Sequence, residues 1–307
     1  LEHRQGLRPR RFKATLSEAL DGVVLGLKIL VGGVPGVGKS TLLLEVASRW
    51  ARDAGRALYV TGEESAAQVR LRAERTDALA DDLMLTAETD LATVLGHIDQ
   101  VAPSLLIIDS VQTIASAGVD GAAGGVTQVR EVAGAVIREA KARGIATVLV
   151  GHVTKEGSIA GPRLLEHLVD VVLHFEGDRH SRLRMVRTVK NRYGPADEVG
   201  CFDLTDSGIV SLPDPTGLFV SDHMAPVAGT CVTVTLEGRR PLLGEVQSLV
   251  APSMAGTPRR ANNGLDSSRV AMIIAVLERR GWKATATAEI YTSTVGGARV
   301  TEPAADL

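Results

Sequence analysis

The 307-residue chain has only two cysteines, Cys201 and Cys231. Two such thiols build neither a disulfide framework nor a zinc site, and they suit a reducing cytoplasm. Aromatic residues make up 3% of the sequence, too few for the stacking platform of single-strand-binding folds. No apolar run approaches the ~20 residues that cross a bilayer, which argues against a membrane partner. Stretches such as LLIID and TVLVG are strand-sized. No signal peptide is visible. The chain opens on Leu1 rather than Met, as a fragment or processed product would. A global excess of positive charge is also missing. The formal charge is −2, so any nucleic-acid contact has to come from local patches. Arg4, Arg8, Arg10, Arg11 and Lys13 form one; Arg179, Arg182, Arg184, Arg187, Lys190 and Arg192 form another. Each could equally be a solvated face.

What is present begins with GVPGVGKST, residues 33–41. It fits G-x-x-x-x-G-K-[ST] through Gly33, Gly38, Lys39 and Ser40. Apolar Ile29, Leu30 and Val31 precede it, and TLLLEVASRWA with helical spacing follows. That strand–loop–helix context separates a phosphate loop from a chance glycine-rich turn. Gly33, Val34, Pro35, Gly36, Val37, Gly38, Lys39, Ser40 and Thr41 are therefore expected to bind ATP. Glycines let the backbone close on a phosphate, and the helix N-terminus favours an anion. Lys39 would reach the β- and γ-phosphates and Ser40 would ligate Mg²⁺.

With 45% hydrophobic and 23% charged residues the chain can bury an ordinary core. After the loop, strand-like and helix-like segments alternate through GRALYVTG, SAAQVRLRAERTDALADD, LMLTAE, DLATVLGHIDQV, PSLLIIDS, QVREVAGAVIREAKARG and IATVLVGH. The fold class is therefore α/β, a parallel sheet with helices on both faces. VDVVLHFEGD, SRLRMVRTVKNR and EVGCFDLTDSGIV read as three strands of an antiparallel extension. PDPTG marks a linker. Two strands in GTCVTVTLEGRRPLLGEVQSLVA and a helix in LDSSRVAMIIAVLERRG follow, and VGGARVTEPAADL looks like the start of another helix. The expected boundaries are a basic segment at 1–15, an ATPase domain at 16–212, a linker at 213–219 and a second, shortened domain at 220–307.

Asp109 ends the run LLIID, where an acid beside a phosphate loop orients Mg²⁺; capping a turn is the simpler use. Glu63 and Glu64 follow ALYVT. Glu63 is expected to activate the attacking water, with Glu64 or Ser65 capping the next helix. His152 ends TVLVG at the same sheet edge, either as a γ-phosphate sensor or as an interface polar residue. In KNRYG, Lys190 and Arg192 are two apart on a strand and so share a face. They suit a finger that completes a neighbouring subunit's site, or a pair of DNA phosphate contacts.

The strings GVPGVGKSTLLLEVA, YVTGEES, LLIIDSVQT, TQVRE, GHVTKEGSIAGPRLLEH, KNRYG and FDLTDSGIVSLPDPTGLF resemble the RadA (Sms) family of bacterial DNA repair proteins, relatives of RecA and of DnaB helicases. They span roughly residues 30–220. KNRYG matches the family pentapeptide, which usually has Phe where Tyr193 stands. GEVQSLVAPS, NGLDSSRVAMIIAVLERRG and VGGARVTEPAADL resemble the family's Lon-protease-like α+β domain. The resemblance implies a RecA-like P-loop core followed by a partial Lon-like domain. It implies a homo-hexameric motor on single-stranded and branched DNA, hydrolysing ATP to drive branch migration alongside RecA recombinase. By the RecA pattern, one DNA loop falls near residues 117–126. The other falls near 153–163, with Lys155 and Arg163. The family's N-terminal zinc finger has no counterpart in this sequence, the stretch before the first strand is shortened, and the Lon-like domain ends early.

Two other classes compete. A nucleotide-switched binding module, as in circadian-clock relatives of RecA, would bind ATP without motor activity. A Lon-type protease needs a serine nucleophile and a lysine base. After Val295 neither occurs, and Ser293 lies in an unfamiliar setting, which argues against proteolysis.

Overall fold

KILVGG is too short for a helix and too apolar for a loop. It forms β1 (Lys28–Gly33), buried along nearly its whole length. Then follow α1 (Lys39–Asp53), β2 (Ala57–Thr61), α2 (Ala66–Arg75), β3 (Leu83–Ala87), α3 (Leu91–Val101), β4 (Leu105–Asp109), α4 (Val126–Arg143), β5 (Ala146–His152), α5 (Arg163–Glu166) and β6 (Val171–Gly177). The strands β7 (Leu183–Asn191), β8 (Val199–Thr205) and β9 (Gly208–Ser211) come next. These elements are seen in a computed structural model that describes residues 26–152, 163–177, 182–196, 198–212, 215, 219–221, 227–237, 240–253, 258–281, 285, 287–295, 300 and 302. The basic segment 1–15 and Lys155 lie outside these residues. Arg163 opens α5, and its side chain is outside them too.

The first sheet has the order β3-β2-β4-β5-β1-β6-β7-β8-β9. Strands from β3 to β6 pair in parallel, and β7 to β9 add on antiparallel. Alternation along β4 shows why helices cover both faces. Leu105 and Ile107 join Leu43, Ala47, Val69 and Ala73 of α1 and α2. Leu106 and Ile108 join Val94, Ile98, Val129 and Val132 of α3 and α4. Each Leu, Ile or Val among them contributes ~1.5–3 kcal/mol by leaving water, so the sheet is anchored where its apolar runs are longest. One expectation needs correcting. EVGCFDLTDSGIV is not one strand but two, β8 and β9, folded back at Asp206–Ser207. Gly208 makes the return with φ of 136°, a conformation side chains resist.

The chain divides into two compact units, residues 1–213 and 214–307. The second holds β10 (Thr230–Glu237), β11 (Arg240–Pro252), β12 (Arg260–Asn263), α6 (Ser267–Arg279) and β13 (Ala288–Thr294). Their sheet order is β10-β11-β13-β12, with β12 and β13 parallel across α6 and the other pairs antiparallel. Asp266 caps α6 by accepting the Ser268 and Arg269 N–H groups. Most of VGGARVTEPAADL lies outside the described residues; Val300 donates its N–H to the Gly264 carbonyl at 3.0 Å. Among the described residues no helix is long and apolar enough to cross a membrane, and no group of three or more His, Cys, Asp or Glu could hold a metal.

Candidate nucleotide site

Several parallel strands end at one edge. Gly33 of β1 lies opposite His152 of β5, and Thr61 of β2 opposite Asp109 of β4. The phosphate-loop sequence, both acids and the histidine thus meet at the carboxyl edge, where such sheets bind ligands. Gly36 and Gly38 take φ of 80° and 102°. A Cβ on Gly33 would lie 2.6 Å from the Phe175 carbonyl oxygen. α1 starts without a side-chain cap, whereas Ser65, Asp90 and Asp266 cap α2, α3 and α6. Its first N–H groups are therefore left for the loop or a ligand. Val34, Pro35 and Gly36 are exposed, Val37 is buried, and Ser40 and Thr41 are half-buried in the first turn.

Lys39 is only 4% exposed. Its Nζ donates to the Gly33 and Val34 carbonyls, both at 2.9 Å. Burial lowers its pKa, opposed by Asp109 and Glu63. Asp109 is buried, and its Oδ2 accepts the Tyr59 hydroxyl at 2.6 Å. Burial and Asp109 together push the Tyr59 phenol well above its usual range. Glu63 Oε1 accepts the Ser110 hydroxyl at 2.7 Å and His152 Nε2 at 2.5 Å. The His152 bond holds Glu63 ionised below the ordinary carboxylate range, with Ser110 adding to it against burial. His152 Nδ1 is buried without a hydrogen-bond partner. Glu64 points elsewhere, to the Arg72 guanidinium of α2. Both Glu63 and Glu64 donate backbone N–H groups to Thr61 Oγ1, and Gly62 donates to the Asp109 carbonyl. Gly62 has no room for a side chain, since a Cβ would sit 2.0 Å from Thr113 Oγ1.

Lys190 ends up near the opposite edge. Its Nζ donates to the Glu166 and Val169 carbonyls, just before β6. Arg192 lies one residue past the end of β7 rather than on it. Its backbone N–H and its guanidinium both reach Asp170, which also accepts the Lys28 N–H at the start of β1. The phosphate loop follows the other end of β1, about 16 Å along the strand at ~3.3 Å per residue.

Two residues that the sequence did not assign to the nucleotide site belong to this edge. Gln128 of α4 is 2% exposed. Its amide accepts the Ser116 N–H and donates to the carbonyls of Ser116, Val119 and Gly121, ordering the glycine-rich loop after β4. Arg184 of β7 belongs to a basic run that could equally be a solvated face, and it does not lie in solvent. It is 5% exposed and donates Nε–H to the Val37 carbonyl at 2.7 Å. Its neighbours Arg182 and Arg187 do pair at the surface, with Asp203 and Glu176.

The AAA domain family matches residues 12–158. DNA repair protein RadA of Mycolicibacterium smegmatis is 60% identical over 290 residues, 93% of this chain and 62% of that protein. DNA repair protein RadA of Streptococcus pyogenes is 48% identical over 286 residues, again 93% of this chain and 63% of that one. The chain belongs to the RadA family. It spans about 60% of the length of the curated RadA relatives it matches. A KaiC-like protein of Pyrococcus horikoshii shares the fold, with a TM-score of 0.50 at 19% identity over 63% of this chain and 94% of that one. Unit 1 is therefore an α/β fold with a RecA-like P-loop core.

Proposed function

We propose that the chain is the motor portion of a DNA-dependent ATPase that works in DNA repair. The observation that carries this is Glu63. An ionised carboxylate, held by Ser110 and His152 and drawn toward Lys39, stands at the same sheet edge as the phosphate loop. The loop N–H groups and Lys39 would bind the ATP phosphates, with Lys39 exchanging its carbonyl partners for phosphate oxygens. Ser40 and Asp109 would hold Mg²⁺, which offsets phosphate charge; a buried carboxylate that accepts the Tyr59 hydroxyl on Oδ2 fits that use. Glu63 orients the attacking water and takes its proton. His152 senses the γ-phosphate through its bond to Glu63 and passes the change to the segment after β5.

Lys190 and Arg192 serve a neighbouring subunit, because in their own chain they stand at the start of β1 and the loop at its end. A homo-hexameric ring supplies that neighbour. Single-stranded DNA runs past the glycine-rich loop at 117–126, where backbone N–H groups hold phosphates without reading bases, and past Lys155 and Arg163. In the cytoplasm such a motor would drive branch migration of branched intermediates beside RecA recombinase. Unit 2 would be a Lon-like domain used as a platform rather than a protease. The test is steady-state ATP turnover with and without single-stranded DNA on the full-length protein. Several-fold acceleration is expected. Turnover indifferent to DNA would sink the motor and favour a nucleotide-switched binding module.

A further inference from the structure

We propose that Arg184 is a positioning residue for the phosphate loop, aiming the Gly38 N–H at the nucleotide. The inference rests on the ATP-binding reading above. It starts from the planar trans peptide, in which C=O and N–H point opposite ways. A loop that cradles an anion turns its N–H groups inward, so its carbonyls must turn outward. An outward carbonyl in a buried place needs a donor. Val37 is such a place, being 3% exposed at the foot of the loop. Arg184 Nε–H donates to its carbonyl at 2.7 Å. The Val37–Gly38 peptide is trans, so the carbonyl held by Arg184 turns the Gly38 N–H away from the guanidinium, the side on which the proposal puts the phosphates. Gly38, in the left-handed conformation, is the N-cap residue immediately before α1. A fixed positive charge behind the carbonyl also polarises the peptide and strengthens the N–H as a donor.

The surroundings are shaped for this arginine. Gly177, its cross-strand partner on β6, has no side chain, and a Cβ there would lie 2.5 Å from Arg184 Cδ. Arg184 Nη1 donates to the Leu183 carbonyl at 2.8 Å, which keeps the guanidinium plane against the strand. Lysine could carry the charge but not the two-sided fork. The contact also gives β7 a second meaning. Arg184 grips the chain's own loop near one end of the strand, and Lys190 sits near the other.

The experiment measures direct ATP and ADP affinity together with KM and kcat on the full-length protein. The variants are Arg184→Met, Arg184→Lys and Gly177→Ala, with Lys39→Ala as the reference and a thermal melt for each. Losing a charged hydrogen bond from the loop should weaken nucleotide binding about tenfold or more in Arg184→Met. Arg184→Lys should fall between Arg184→Met and wild type. Gly177→Ala should weaken binding with the guanidinium still present. The loss should appear in KM and affinity far more than in kcat. In the apo protein the Gly38 amide resonance should shift in each variant, a change that a general loss of stability does not produce. If Arg184→Met does not fold, Arg184→Lys and Gly177→Ala decide the matter. Wild-type affinity in a folded variant, with Lys39→Ala abolishing binding, overturns the proposal. An unaffected Lys39→Ala overturns the ATP-binding reading instead.

Discussion

A carboxylate stands beside phosphates only where something balances its charge. Glu63 has that balance, since His152 and Ser110 donate to one oxygen and Lys39 adds attraction. Glu64, one residue on, spends its charge on Arg72. The two neighbours should therefore separate cleanly. Glu63→Gln should keep nucleotide affinity and slow turnover about 10²-fold or more. Glu64→Gln should leave turnover within about twofold and lower stability by no more than ~1 kcal/mol, as a half-exposed pair does. Single-turnover hydrolysis and a urea midpoint read both, and a slow Glu64→Gln with a normal Glu63→Gln would reverse the assignment. The phosphate loop, Asp109 and Glu63 were legible because the motif and the strand ends place them. Arg184 and Gln128 were not. A charged side chain on a strand and a glutamine on a helix read as solvent-facing. Burial of Arg184 depends on Gly177 and Val37, which only folding brings together.

Between elements, β6 and β7 are tied by a charged cluster on adjacent strands. Glu176 pairs with His174 at 3.4 Å and Arg187 at 3.2 Å, and these hold its pKa down to about 2 from the ordinary 4.5. The folded state therefore gains stability that is fully present above about pH 4.5 and lost as pH falls toward 2. Glu176→Gln should cost roughly 1–2 kcal/mol at pH 7, less than the full shift implies because the pair is about a third exposed. Urea midpoints of the two proteins should converge as the pH drops below about 3. A constant gap down to pH 2 would mean the cost is packing and not charge. At this scale the alternating strands and helices from β1 to β6 could be read directly, because runs buried on both faces are continuous. The β8–β9 reversal was hidden, since Thr205 and Gly208 flank only two polar residues. β12 and β13 were hidden as well: RANN and AEIYTST carry too few apolar side chains to announce a strand.

The whole molecule sets a different problem, which is who completes whose site. Lys190 and Arg192 face their own chain at the start of β1, far from its loop. If they serve a neighbour, Arg192→Ala should bind nucleotide and lose DNA-stimulated turnover. Mixing it with Lys39→Ala subunits should partly restore activity, because some interfaces then join an intact loop to an intact finger. No recovery in assemblies shown to be mixed would place these cations on DNA or within their own subunit. The strand order carries one more consequence, and it concerns time. β1 is the first strand described, yet its two neighbours, β5 and β6, come roughly 120 and 140 residues later. At about 5–20 residues per second of synthesis, β1 waits ~6–24 s on the ribosome before β5 exists, and longer for β6 and for β7 with its arginine. The phosphate loop has no strand to rest on during that interval. Nucleotide can therefore meet a formed loop only after most of unit 1 has been made, so ATP capture marks the end of this domain's birth rather than its beginning.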